Sequence, residues 1–252
     1  MSFQQILPYL IVCPLTFLAG FVDSIAGGGG LISLPAYMIA GLPVHMAIGT
    51  NKMSAGMGTL VATSRLAAHG HIHLKQTLGC IAMAVIGSVL GAKLALFMDA
   101  GIFKRIMLVI IPLTALFVFW SNSMEKPKRD LPRKKMLRRA MLIALGIGVY
   151  DGFYGPGTGT FLLLLLTSVA GFALTDANGT AKAINLTTNI SATVVFLLNG
   201  TVIIPLALAA GTCSIAGNYI GISFFERKGI KVVKPIMLCV LTVFFIKIIT
   251  EL

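Results

Sequence analysis

The chain has 252 residues, of which 57% are apolar and 11% charged, and its mean hydropathy is +0.93. A soluble domain carries about 25% charged residues, so this composition excludes a soluble enzyme, a disordered chain and a secreted disulfide scaffold, and points to a polytopic membrane protein. The formal charge is +12, from 20 Lys+Arg against 8 Asp+Glu, a balance that nucleic-acid binding and positively charged cytoplasmic loops both produce.

In chain order the apolar segments run about 5–41, 43–66, 76–98 and 102–122, then 140–174, 178–199, 202–225 and 232–250. No Lys or Arg precedes the first, which reads as a membrane segment and not as a signal peptide. Three of each four have the ~20 residues needed for one crossing. The first of each four is too long for one crossing and is interrupted by glycine, at Gly27, Gly28, Gly29 and Gly30 in one half and at Gly155-Pro156-Gly157-Thr158-Gly159 in the other. A glycine-rich break is no regular helix interior. Each such segment is expected to be two shorter helical pieces forming a hairpin, re-entrant or crossing twice.

Between the two sets, residues 124–139 (MEKPKRDLPRKKMLRR) hold eight of the twenty basic residues, with Pro127 and Pro132 among them. This reads as a solvated cytoplasmic linker, compatible with contact to anionic lipid. No aromatic interleaving or nucleic-acid motif accompanies it, so nucleic acid is set aside as a partner. Cys13, Cys80, Cys213 and Cys239 lie in or beside apolar runs without CxxC spacing, as buried small hydrophobes do. The Asn-x-Ser/Thr matches at Asn178, Asn185, Asn189 and Asn199 read as polar membrane residues or loop ends.

The two sets are copies of one pattern. Asp23-Ser-Ile-Ala-Gly27 matches Asp151-Gly-Phe-Tyr-Gly155 at a spacing of 128, and Gly49-Thr50-Asn51-Lys52 matches Gly179-Thr180-Ala181-Lys182 at a spacing of 130. The second spacing persists through Gly70 and Gly200, Gly87 and Gly217, Gly91 and Gly221, and Lys104 and Lys234. Such duplication marks secondary transporters. The expected fold is therefore an all-α polytopic membrane protein with a first repeat at 1–123, the linker at 124–139 and a second repeat at 140–252. Placing the linker and the loop Glu226–Lys234 in the cytoplasm puts the loop Arg65–Lys75 inside and its uncharged mate Asn199-Gly200-Thr201 outside, which makes the two repeats inverted.

Membrane segments stay apolar unless a polar group has a task. Asp23 and Asp151 precede the two glycine breaks, and Lys52 and Lys182 are expected in the first turns of the next segments. Free N–H groups at broken helix starts favour an anion, glycine lets the backbone approach it, and the lysines add positive charge. The aspartates would orient the loops or carry a coupling proton; latching pairs with the lysines are the structural alternative. Asn185 and Asn189, at i and i+4, share a helix face, opposite mates at Ala55 and Thr59 with Ser54 nearby, and either line a path or bind helices together.

Other chemistry falls away. Gly27–Gly30 lacks the Gly-Lys-Ser/Thr of a phosphate loop, and Gly155-x-Gly157-x-Gly159 lacks dinucleotide-binding spacing, so no cofactor is expected. His69, His71 and His73 read as loop residues, and no metal site is expected.

At Asp23-Ser-Ile-Ala-Gly-Gly-Gly-Gly30 with Pro35, Gly41-Leu-Pro43 with Ala47-Ile-Gly-Thr-Asn-Lys52, Gly152-Phe-Tyr-Gly-Pro-Gly-Thr-Gly159, and Gly179-Thr-Ala-Lys182 with Asn185 and Asn189, the chain resembles the TauE/SafE sulfite-exporter family, also called the toluene-sulfonate uptake permease group. The resemblance implies a bacterial inner-membrane protein that moves sulfite, organosulfonates or related anions. Substrate contacts are then expected at Gly27–Gly30, Thr50, Asn51, Lys52, Gly155, Gly157, Thr158, Gly159, Thr180, Lys182, Asn185 and Asn189, with Asp23 and Asp151 in coupling or orienting roles. An anion channel and an intramembrane enzyme are the rival classes.

Overall fold

The computed structural model describes residues 3–103, 105–106, 109–110, 112–113 and 131–228. Among these every regular element is helical. The helices with full bounds are α1 (Phe3–Ala26), α2 (Gly30–Ile39), α3 (Val44–Ala68), α4 (Leu74–Phe97), α5 (Arg133–Phe153), α6 (Thr158–Ser168), α7 (Leu174–Leu198) and α8 (Ile204–Lys228). The segments expected at 102–122 and 232–250, with Lys104, Lys234 and Cys239, lie wholly or partly outside the described residues, as does the linker before residue 131.

Among the described residues four stretches are long and apolar enough to cross a membrane: Ile6–Ser24, Thr77–Phe97, Leu174–Leu198 and Ile204–Gly221. The burial pattern agrees with lipid as the solvent. Large apolar side chains point outward, with Phe97 86% and Leu198 82% exposed, whereas Lys52, Asp151, Asn51 and Asn189 are buried. A water-soluble fold sorts these classes the other way.

The glycine breaks fall where the sequence puts them. Gly27, with φ +73°, ends α1, and Gly155 and Gly157, with φ +98° and +83°, separate α5 from α6. These are left-handed values that residues with a Cβ rarely adopt. The pieces are unequal, however. α1 has 24 residues and α5 has 21, whereas α2 and α6 have 10 and 11. Only the second piece of each hairpin is short. Pro132 caps α5, so Arg133, Lys134, Lys135, Arg138 and Arg139, within the stretch expected as linker, ride on the first two turns of that helix. Proline at a helix start has no N–H to leave unpaired.

Close contacts between small residues give the helix directions. Gly217 packs on Phe17 and Phe21, and Gly221 packs on Phe21 and Ser24, so α1 and α8 run parallel. Gly87 packs on Leu145 and Val149, and Gly91 packs on Val149 and Phe153, so α4 and α5 also run parallel. The second pair of contacts repeats the first with the halves exchanged. α3 runs parallel to α8, from the Thr50–Ile203 bond to the Arg65–Tyr219 bond. α7 runs parallel to α4, from Gly179 on His71 to Ser88 on Thr188. α3 and α7 are antiparallel: Gly56 faces Asn189, and Thr63 bonds the Lys182 carbonyl. The C-terminal ends of α3 and α8 and the basic N-terminal end of α5 therefore share one end of the bundle. The 199–203 turn lies at the other.

Candidate functional site

The two breaks meet. A Cβ on Gly27 would lie 2.7 Å from the carbonyl carbon of Gly159, and one on Gly30 would lie 2.9 Å from the Cα of Pro156. Only glycine permits this approach of backbones. Around the contact, each lysine reaches across to the aspartate of the other half. Lys52 Nζ lies 2.9 Å from Asp151 Oδ1, with both side chains 2% exposed. Lys182 Nζ lies 2.8 Å from Asp23 Oδ2 and donates to the Asp23 backbone carbonyl at 2.7 Å. The local backbone prepares these acceptors. Thr158, the first residue of α6, donates from Oγ1 to Asp151 Oδ1 at 2.6 Å, and the Gly27 N–H donates to the Asp23 carbonyl at 2.9 Å. Buried charges persist where they are paired and hydrogen-bonded, and both conditions hold here.

The lysines sit deeper than expected. Lys52 and Lys182 are each the ninth residue of their helix, in its third turn and not its first, because α3 starts at Val44 and α7 at Leu174. Depth puts their ammonium groups level with the breaks.

Beside the breaks lies a cavity of about 50 Å³. Of the residues expected at the site, Asp23, Gly27, Gly29, Gly30, Asn51, Lys52 and Asp151 line it, as do Gly155, Gly157, Thr158, Gly159, Asn185 and Asn189. The two asparagines bond each other, with Asn189 Nδ2 donating to Asn185 Oδ1 at 3.3 Å. Lys182 instead lines an adjacent cavity of about 20 Å³ with Asp23, Gly27, Gly159 and Asn178. Thr50, Thr180 and Gly28 line neither. Thr50 Oγ1 accepts the Ile203 N–H at 3.0 Å, which fastens the 199–203 turn to α3. Gly28 supplies a carbonyl to the Leu31 N–H as α2 begins, and Thr180 is buried at 3% exposure.

Sequence reasoning did not single out four polar lining residues: Thr16 on α1, Ser33 on α2, and Ser214 and Asn218 on α8. Ser214 and Asn218 are spaced i, i+4 inside an apolar run, the signal that marked Asn185 and Asn189. Among the described residues no group of His, Cys, Asp and Glu could hold a metal; His73 lies 3.4 Å from Asp176 at the surface, and His69 contacts the Arg65 carbonyl.

Helices that bury polar residues and expose apolar ones, around a charged site at paired helix breaks, define a membrane transporter class. Comparison makes this specific. The family described as sulfite exporter TauE/SafE matches residues 12–248. A Sinorhizobium protein described as probable membrane transporter protein ORF9 is 35% identical over 98% of this chain and 94% of its own length. The probable membrane transporter protein YfcA of Escherichia coli K12 is 33% identical over 94% of this chain and 88% of its own, and a Haemophilus influenzae probable membrane transporter protein is 33% identical over 88% and 86%. No solved structure matches. The chain belongs to the sulfite exporter TauE/SafE family of membrane transporters.

Proposed function

We propose that this chain is a secondary transporter that carries a small anion, of the sulfite or organosulfonate class, across the bacterial inner membrane by alternating access. The observation that carries the reading is the reciprocal pairing of Lys52 with Asp151 and Lys182 with Asp23 around two abutting glycine breaks. Equivalent parts of two repeats, 1–123 and 140–252, thereby form one site, as in transporters built from inverted repeats.

Helix direction supports inversion. The repeat mates α3 and α7 are antiparallel, and α1 and α4 run parallel to α8 and α5, each pairing one half with the other. Length supports re-entrant hairpins: α2 and α6 reach roughly 15–17 Å, about half of a ~30 Å hydrocarbon core. Charge supports the sidedness. The end of the bundle that holds Arg65 and the α5 basic cluster faces the cytoplasm, and the 199–203 turn faces outward. The basic 124–139 linker would then be cytoplasmic, the side on which anionic lipid attracts such charge.

In this mechanism the anion meets Lys52 and the N–H groups that begin α2 and α6. Asp23 and Asp151 hold the ammonium groups in place between transport events and are where a coupling proton would act. Rocking one repeat against the other moves the barrier across the fixed site. Counterflow in proteoliposomes tests this against an anion channel. Internal unlabelled sulfite or sulfonate should accelerate and transiently concentrate labelled substrate. Flux that follows the gradient alone, without saturation, would favour a channel.

A further inference from the structure

The cavity at the breaks is rich in acceptors. Three buried side-chain oxygens on residues that line it lack a donor among the described residues: Asn51 Oδ1, Asp151 Oδ2 and Asn218 Oδ1. Their residues are 5%, 2% and 1% exposed. The amide orientation of Asn218 is fixed, because its Nδ2 donates to the Ser214 carbonyl at 3.0 Å, leaving Oδ1 turned away from that partner. Three of the lining hydroxyls donate elsewhere. Thr16 donates to the Cys13 carbonyl, Ser54 to that of Asn51 and Thr59 to that of Ala55. A buried acceptor left without a donor costs free energy, so three around one cavity call for a ligand that brings donors.

Charge balance says the same. The two ion pairs sum to zero, so a bare anion entering the cavity would leave the buried site with a net negative charge beside an unpartnered carboxylate oxygen. Burying uncompensated charge is expensive. A ligand whose negative end meets Lys52, and which comes with positive charge and N–H donors for the three oxygens, leaves the site neutral.

Resting on the transporter reading above, we infer that the cavity binds its anion together with a cationic group, held by Asn51, Asp151 and Asn218. The group is either an ammonium on the same molecule, as in an aminoalkanesulfonate, or a co-bound monovalent cation.

Titration calorimetry on the purified full chain tests this with taurine, ethanesulfonate and sulfite, each in sodium and in choline buffers at one pH. Taurine binding about tenfold or more tighter than ethanesulfonate, in either buffer, supports an ammonium on the substrate. Ethanesulfonate or sulfite binding that needs sodium and vanishes in choline supports a separate cation. Equal binding of taurine and ethanesulfonate with no sodium dependence overturns the inference while leaving the anion-transporter reading intact. Failure of every anion to bind overturns both. Asn218→Leu, close in volume and without the acceptor, should remove most of the taurine or sodium preference, whereas Gly146→Ala, on the exposed face of α5, should keep it. A preference that survives in both Asn218→Leu and Asn51→Leu contradicts the assignment of these residues.

Discussion

Gly27 and Gly159 touch backbone to backbone: a Cβ on the first would lie 2.7 Å from the carbonyl carbon of the second, and one on the second 2.8 Å from the Cα of the first. Neither position has room for a methyl group, and Gly27 also holds φ +73°. Gly27→Ala and Gly159→Ala should each lower stability by about 1–3 kcal/mol through overpacking and cut transport by about tenfold or more. Gly146, exposed on α5 with nothing within 4 Å of an added Cβ, is the control. Gly146→Ala should be neutral or slightly stabilising, since alanine is the better helix former. Thermal unfolding in detergent and uptake in vesicles check both halves of this expectation.

The Lys52–Asp151 pair, with both side chains 2% exposed, predicts an asymmetry between single and double replacements. Lys52→Met leaves a buried carboxylate without its cation and should cost about 3–5 kcal/mol. Lys52→Met with Asp151→Leu should recover most of that stability and still fail to transport. A double variant as unstable as the single one would show that the pair does not act as a unit. Melting temperature and substrate flux separate the two effects.

The charge distribution predicts sidedness. In a background with all four cysteines replaced, Asn199→Cys should react with a membrane-impermeant thiol reagent applied to intact spheroplasts, and His69→Cys only after permeabilisation. Both parent residues are exposed at loop ends. The reverse labelling pattern would invert the topology.

Thr50 separates structural from binding residues. Its Oγ1 accepts the Ile203 N–H at 3.0 Å, and it lines neither cavity. Thr50→Val should destabilise by about 1 kcal/mol and leave the substrate KM unchanged. A raised KM with unchanged stability would return Thr50 to the site.

The two breaks and the four charges beside them were legible in the sequence because charge and glycine are rare in apolar runs and recur there at spacings of 128 and 130. Which lysine meets which aspartate was not legible. Residues 52 and 151 are joined only by the way the halves interlock, and nothing local to either encodes the partner. The depth of Lys182 was missed because α7 begins on an apolar residue, Leu174, four residues before the expected segment and with no side-chain cap to mark the start; α3 begins at Val44, beside the expected start at 43, so the depth of Lys52 follows from residue spacing alone. The sequence from Arg133 to Arg139 read as part of a solvated linker because its charge and Pro132 set it apart from the apolar run that follows. Ser214 and Asn218 have their repeat mates at Ala84 and Ser88, so the repeat did not draw attention to them as it did to the lysines.

The proposed transport requires one anion site between the two halves, met by Lys52 and braced by the Lys182–Asp23 pair of the adjacent cavity. Initial rates of labelled sulfite and sulfonate uptake into proteoliposomes test it most directly, comparing the wild-type chain with Lys52→Ala and Lys182→Ala proteins matched for insertion and folding. The account predicts saturable uptake by the wild type and a loss of about a hundredfold in kcat/KM for each variant, as removal of a buried charge-assisted contact implies. Wild-type rates in both variants would contradict it.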